Sequence, residues 1–330
     1  MTDQDVYGEN SEVSWPLDST TVYGTLVRPV GPGPFPAVVM VAGSGPTDRD
    51  WNSPLVPGTN GSARLLAEAL ARAGIASVRY DKRGSGPHAR ENVPLLIGKV
   101  SLQSFVDELA GAVRIMASQQ YVRADRIFAL ANSEGTLHAL NYQVHHPEIP
   151  LAGLVLIGPA GRTVGALARS QLAAQASGVP NGEVLLSLYD AAIARFLAGE
   201  PINPDPSLPE GVQMLLKSLE SPINQPFARE LWMADAVPLL RQVDVPVLVM
   251  IGKKDIQVDW QADGEKLQHA AEGQKHVTFL FPENTNHVFK EELRPRSELV
   301  TAGVSGYNGS ETHLDPQALT SMLAWFIAHT

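Results

Sequence analysis

The chain has 330 residues, no cysteine and a formal net charge of −10. The missing cysteine excludes disulfides, thiolate nucleophiles and Cys-ligated zinc together. The negative charge argues against a nucleic-acid backbone or an anionic membrane surface as a partner.

With 44% hydrophobic and 18% charged residues the composition is that of a globular protein. No apolar run reaches the roughly 20 residues of a membrane span. The first stretch, MTDQDVYGENSEVSW, has neither a basic nor an apolar leader segment, so no signal peptide is expected and a cytoplasmic location is.

In chain order, residues 12–30 alternate and contain Thr, Val and Tyr, which predicts a hairpin. GPGPFP is a turn cluster, and AVVMVAG (37–43) is a β-branched run of the kind buried on both faces of a sheet. A polar loop follows, then an amphipathic helix over 62–73 that stops at Gly74. IASVRYDKRGSG is a strand running into a tight loop. Residues 101–119 carry Phe105, Leu109, Val113 and Met116 at helical spacing. Buried strands are predicted at 126–131, 151–161, 245–255 and 277–282, with a closing helix over 315–329.

Strands alternate with helices nearly throughout, the pattern of an α/β protein with a mostly parallel central sheet and helices on both faces. The alternation breaks between Gly161 and Val245, where helix-like segments occur at 184–198, 212–219 and 227–234. Residues 1–161 and 245–330 are therefore expected to form the α/β core, and 162–244 a helical cap insertion over the carboxyl edge of the sheet, where ligands bind in open α/β folds.

Chemistry concentrates at ALANSEGTL (129–137). A strand enters it, a helix leaves it, and Ser133 sits between Ala131 and Gly135. A nucleophile elbow, G-x-S-x-G, requires small residues two places to either side of the serine, because the turn brings them together. Gly135 meets that need, and Ala131 adds one methyl group. The competing reading of Ser133 is a helix cap.

Three further elements favour the elbow. Acyl transfer needs two N–H donors aimed at the developing oxyanion. The amide of Glu134 is one candidate and the amide of Ser44, in VAGSGP after an earlier strand, is the other. Asp255, just past a buried strand in IGKKDIQVDW, is the candidate acid, with Asp259 as runner-up and more readily a helix cap. His287, on the loop after the last strand in FPENTNHVF, is the candidate base. Of the other histidines, His145 and His146 are expected in solvent, while His88 and His138 are harder to dismiss.

The order Ser133, Asp255, His287, with GTLVRP, PFPAVVMVAGSGPTDRD, VRYDKRGSG, NSEG, GKKDIQVD and NHVF, resembles the α/β-hydrolase superfamily over nearly the whole chain. More narrowly it is similar to a group of bacterial carboxylesterases described as dienelactone-hydrolase-like or serine-aminopeptidase-like. The resemblance implies Ser133 as nucleophile, His287 as base, Asp255 as acid, and Ser44 and Glu134 as oxyanion donors. The chain departs from the pattern at Ala131, where glycine is usual, and at Ala42, where histidine is.

Asp48, Asp50, Asp81 and Arg83 lie on two neighbouring loops, and Arg83 is expected to pair with an aspartate and pin the oxyanion loop. In the insertion, Tyr189, Phe196, Met214, Leu215, Leu216, Trp232 and Met233 are expected mostly in packing, with one or two facing the serine. The late loop, 294–316, is either a cover for the site with Tyr307 at its edge or a passive surface excursion.

The expected activity is a cofactor-free, metal-free serine carboxylesterase acting on a small-molecule ester. The rivals are an amidase or aminopeptidase with the same triad, with Glu200, Glu220 or Glu230 holding the substrate amine, and a non-catalytic binding protein on this scaffold. Oligomeric state has no signature in the sequence.

Overall fold

The computed structural model describes residues 7–145, 147–303, 307–309 and 312–330. His146 and part of the late loop lie outside them.

Two antiparallel strands, β1 (Gly8–Leu17) and β2 (Thr20–Pro29), form the expected hairpin. There follow β3 (Phe35–Val41), α1 (Ser62–Arg72), β4 (Ala76–Tyr80), α2 (Ala89–Leu96), α3 (Leu102–Ala117), β5 (Val122–Asn132), α4 (Glu134–Val144) and β6 (Gly153–Ile157). A helical stretch then holds α5 (Val164–Ala176), α6 (Gly182–Ala198), α7 (Glu210–Glu220), a 3-10 turn (Pro222–Asn224), α8 (Phe227–Met233) and α9 (Ala236–Leu240). The chain returns with β7 (Val247–Met250), α10 (Ala262–Ala270), β8 (Val277–Leu280), α11 (Arg296–Ala302) and α12 (Pro316–His329).

Among the described residues one eight-stranded sheet runs in the order β1-β2-β4-β3-β5-β6-β7-β8. The pairings β1–β2 and β2–β4 are antiparallel, and the remaining five are parallel. The carboxyl ends of β3 to β8 therefore share one edge.

The period of two along each strand divides its side chains between two cores. In β3, Ala37, Val39 and Val41 pack with Leu109 and Val113 of α3 and Leu140 of α4 on one face. Val38 and Met40 pack with Leu66 and Leu70 of α1 and Met322 and Phe326 of α12 on the other. Burial on both faces is why these strands read as continuous apolar runs.

The helices between β6 and β7 add a small core of their own, in which Tyr189, Phe196, Leu216 and Trp232 meet. Two of them, α5 and α9, carry no strong pattern in the sequence. The α5 segment, VGALARSQLAAQA, is rich in alanine, and only Leu172 and Ala176 are fully buried. Among the described residues, no helix is long and apolar enough to cross a membrane.

Candidate active site

Ser133 lies at the junction of β5 and α4 with φ 53° and ψ −122°. A serine in that region is strained, and such strain persists only where the surroundings over-determine it. Here the Ser133 amide donates to Ile157 O at 2.8 Å, and its carbonyl accepts from the Thr136 amide at 3.0 Å and from Thr136 Oγ1 at 2.6 Å. A Cβ on Gly135 would lie 2.6 Å from Ala42 O and 2.7 Å from Val41 O, so this position admits only glycine. Ala131 is different. It is an interior residue of β5, paired with Val41 and Leu156, and its methyl group joins the core. The departure from glycine at 131 is thus absorbed as ordinary packing.

His287 Nδ1 lies 2.7 Å from Asp255 Oδ2, and both residues are buried. The second carboxylate oxygen, Oδ1, accepts from the amides of Gln257 and Val258 at 2.8 and 2.9 Å. With both Asp255 oxygens committed, the proton of a neutral imidazole sits on Nδ1 and the Nε2 lone pair is free to act as a base. Gly158 makes room for the ring. It has φ 59°, and a Cβ there would lie 3.1 Å from His287 Nδ1.

Two asparagines that sequence reasoning passed over position this pair. Asn286 Oδ1 accepts from the amides of Val288 and Lys290, folding the loop around His287. Asn132 Nδ2 donates to His287 O at 3.0 Å. The sequence held a signal for the first, since asparagine favours such side-chain-to-backbone turns, but none for the second.

Ser133 and His287 line two cavities in common. The larger, of about 330 Å³, is walled by Ser44, Trp51, Leu55, Val56, Tyr307 and Asn308. The smaller, of about 180 Å³, is walled by Glu134, Leu137, Val164, Leu167, Ala168 and Val258. Ser44 borders both. Among the described residues, neither the Ser44 nor the Glu134 amide has a hydrogen-bond acceptor. All five candidate site residues thus come together at the carboxyl edge of the sheet.

None of the seven apolar insertion residues singled out in the sequence borders either cavity. Tyr189, Phe196, Leu216 and Trp232 belong to the small helical core, while Met214, Leu215 and Met233 are exposed. The insertion reaches the cavity instead through Val164, Leu167, Ala168 and Gln171 of α5. Large apolar residues stabilise most when fully buried, so they mark the centre of the insertion rather than its cavity wall.

The charged loops also differ from expectation. Arg83 bonds Glu108 at 2.9 Å and reaches Asp18, in the β1–β2 turn, at 3.5 Å, rather than Asp48, Asp50 or Asp81. Asp81 is taken by Arg49, at 2.8 Å, and Asp50 by Arg79, at 2.7 Å. Asp48 accepts amides of its own loop. The cluster is structural, as expected, but a different arginine does the pinning. His88 stacks on Tyr23 and contacts Glu91, away from the cavities. Asp259 accepts the amides of Gln261 and Ala262 at the start of α10, a local turn.

Glu134 is buried beside the smaller cavity, with Lys82 Nζ 2.8 Å and His138 Nε2 3.1 Å from its Oε1. Burial pushes its carboxyl pKa up. The Lys82 ammonium and the His138 contact outweigh this and hold it well below the usual carboxylate range. Burial also pushes the His138 imidazole down, so that ring stays neutral.

A family model described as serine aminopeptidase, S33, matches residues 58–191. In three dimensions the chain is similar to the α/β hydrolase GrgF from Penicillium sp. sh18, with TM-score 0.57, 17% identity, and coverage of 97% of this chain and 99% of that one. The chain has the α/β-hydrolase fold. It is also similar to an esterase of Pyrococcus furiosus (TM-score 0.59, 15% identity, 99% and 93% covered). It is similar as well to a proline iminopeptidase of Mycobacterium smegmatis (TM-score 0.55, 17% identity, 97% and 98% covered). These likenesses concern the fold alone. In sequence, the chain is 27% identical over 271 residues to esterase EstD of Thermotoga maritima, across 80% of its own length. The chain spans 57% of the length of that curated relative.

Proposed function

We propose that this protein, with its α/β-hydrolase fold, is a serine carboxylesterase. The observation that carries the reading is the strained Ser133 sharing both cavities with a His287 that Asp255 holds at 2.7 Å. Ser133 Oγ attacks the ester carbonyl carbon while His287 Nε2 takes its proton. The carbonyl oxygen becomes an oxyanion, met by the Ser44 and Glu134 amides. Collapse breaks the bond to the alcohol oxygen, which leaves with the proton from Nε2. Water then attacks the acyl-enzyme with His287 again as base, releasing the acid and restoring Ser133. Residues 162–244 act as a cap whose first helix, α5, walls the smaller cavity and limits the substrate group lodged there.

Charge distribution favours esters over aminopeptides. Binding a substrate ammonium calls for an uncompensated carboxylate in the cleft. Among the described residues, Glu134 is the one carboxylate bordering the two cavities, and Lys82 neutralises it. In the insertion, Glu220 accepts the Ile202 amide and Glu230 the Leu102 amide, so both are occupied in holding helices together. The EstD likeness supports the ester reading, and the match to the aminopeptidase family model keeps the peptidase reading as the rival to test.

The test has two parts. A fluorophosphonate labels Ser133, and Ser133→Ala folds but loses both label and activity. In parallel, kcat/KM for p-nitrophenyl butyrate exceeds that for alanine and proline p-nitroanilides. A label on another serine overturns the site, and faster anilide cleavage overturns the substrate class.

A further inference from the structure

Lys82, Glu134 and His138 form a buried cluster directly behind the elbow, and the acyl-transfer steps do not use their side chains. Lys82 comes from the loop after β4, while Glu134 and His138 are one turn apart on α4. Lys82 and His138 both contact the same oxygen, Glu134 Oε1. Lys82 Nζ also lies over the Phe105 ring at 4.9 Å, and His138 stacks on that ring. His138 Nδ1 is buried without a hydrogen-bond partner, which fixes a neutral ring donating from Nε2. The cluster therefore holds one ammonium and one carboxylate.

An acid is an unfavourable residue at position 134. Its amide faces the developing oxyanion, and a carboxylate within one side-chain length of that negative charge repels it through a low-dielectric interior. Holding a salt bridge in a buried site is itself costly, so its position calls for a reason.

We propose that Lys82 is a positioning residue for the oxyanion amide. Its ammonium ties the first residue of α4 to the β4 loop and cancels the Glu134 charge where the oxyanion forms. The proposal rests on Ser133 being the nucleophile and the Glu134 amide an oxyanion donor. The charged and titratable groups around Glu134 are Lys82 and His138. Beyond them, Lys82 faces Glu108 of α3, which pairs with Arg83 of the β4 loop, and Arg162, across the smaller cavity, is held by Asp263.

The experiment compares wild type with Lys82→Met, Lys82→Arg and the double variant Lys82→Met/Glu134→Gln, using p-nitrophenyl butyrate. Lys82→Met lowers kcat about tenfold or more, with KM within about twofold, since the loss falls on the transition state. Its kcat relative to wild type recovers as the pH is lowered, because Glu134 and His138 take up the proton that replaces the missing charge. Lys82→Arg and the double variant each regain most of the lost rate. An unchanged kcat in Lys82→Met overturns the proposal. So does a ratio that stays flat with pH, or a double variant as slow as Lys82→Met. If Lys82→Met does not fold, the double variant carries the test, since it has no uncompensated buried charge. It then folds and works within about tenfold of wild type, and a larger loss overturns the proposal. Fluorophosphonate labelling of the wild type is run alongside. No label on Ser133 removes the underlying reading, whereas labelled Ser133 with an unaffected Lys82→Met removes the Lys82 role alone.

Discussion

Asn132 and His287 are 155 positions apart in sequence, yet Asn132 Nδ2 donates to the main-chain oxygen of His287 at 3.0 Å. The residue before Ser133 thereby ties down the loop that carries His287, the proposed base. The tie couples the placement of Ser133 to that of the His287 loop.

Asn132→Ala is accordingly expected to lower kcat by about tenfold or more, since small misplacements at a reacting centre are expensive. It also leaves the His287 carbonyl without its donor, so stability falls by about 1–3 kcal/mol. Thermal unfolding and steady-state kinetics separate the two effects. A variant with wild-type kcat shows that other contacts hold the loop.

The two small positions flanking Ser133 respond differently to exchange. Gly135→Ala drives a methyl group into the Val41 and Ala42 carbonyls and is expected to cost about 3 kcal/mol or more, seen as a large drop in Tm or loss of folded protein. Ala131→Gly removes one packed methyl and costs about 1 kcal/mol. Equal losses in both variants contradict this geometry.

Leu167 and Ala168 set the size of the smaller cavity. Leu167→Ala enlarges it, and substrates longer by one to three methylenes gain kcat/KM by up to about fourfold per methylene, from about 0.8 kcal/mol of added burial each. Ala168→Trp fills the cavity and selectively slows the longer esters. A p-nitrophenyl ester series of increasing acyl length, beside one of increasing alcohol length, also shows which half of the ester lies under α5. If neither series shifts its optimum, α5 does not limit the substrate.

Lys290 is buried and donates to Tyr307 O and to Thr312 Oγ1. Burial, helped by the Arg64 charge, pushes its pKa down to about 8. Below that pH the folded chain keeps a buried ammonium, at a cost to stability. Between about 8 and the ordinary lysine value near 10.4, the folded state has released the proton and the unfolded state still holds it, so this residue's contribution rises with pH. The stability of wild type relative to Lys290→Met therefore increases from pH 7 to pH 10, as read by denaturant unfolding. A pH-independent difference contradicts the depressed value.

The sequence by itself determined the strands, the longer helices of the core and the residues of the candidate site. Strands buried on both faces must be apolar along their whole length, and a serine on a strand-to-helix turn must have small neighbours, so both left local marks. Ser133, Asp255, His287, Ser44 and Glu134 were each legible because each follows a strand at the edge the strands share. Tertiary structure alone decided which partners hold them. Arg49 rather than Arg83 takes Asp81, Asn132 reaches His287, and Lys82 reaches Glu134. Such pairs join residues far apart in the chain, and a side chain's donors and acceptors do not encode which distant partner will come within 3 Å. The cavity wall was hidden for a related reason. The bulky apolar residues of the insertion signal burial, and burial drew them into their own core. The smaller residues of α5 were left to face Ser133.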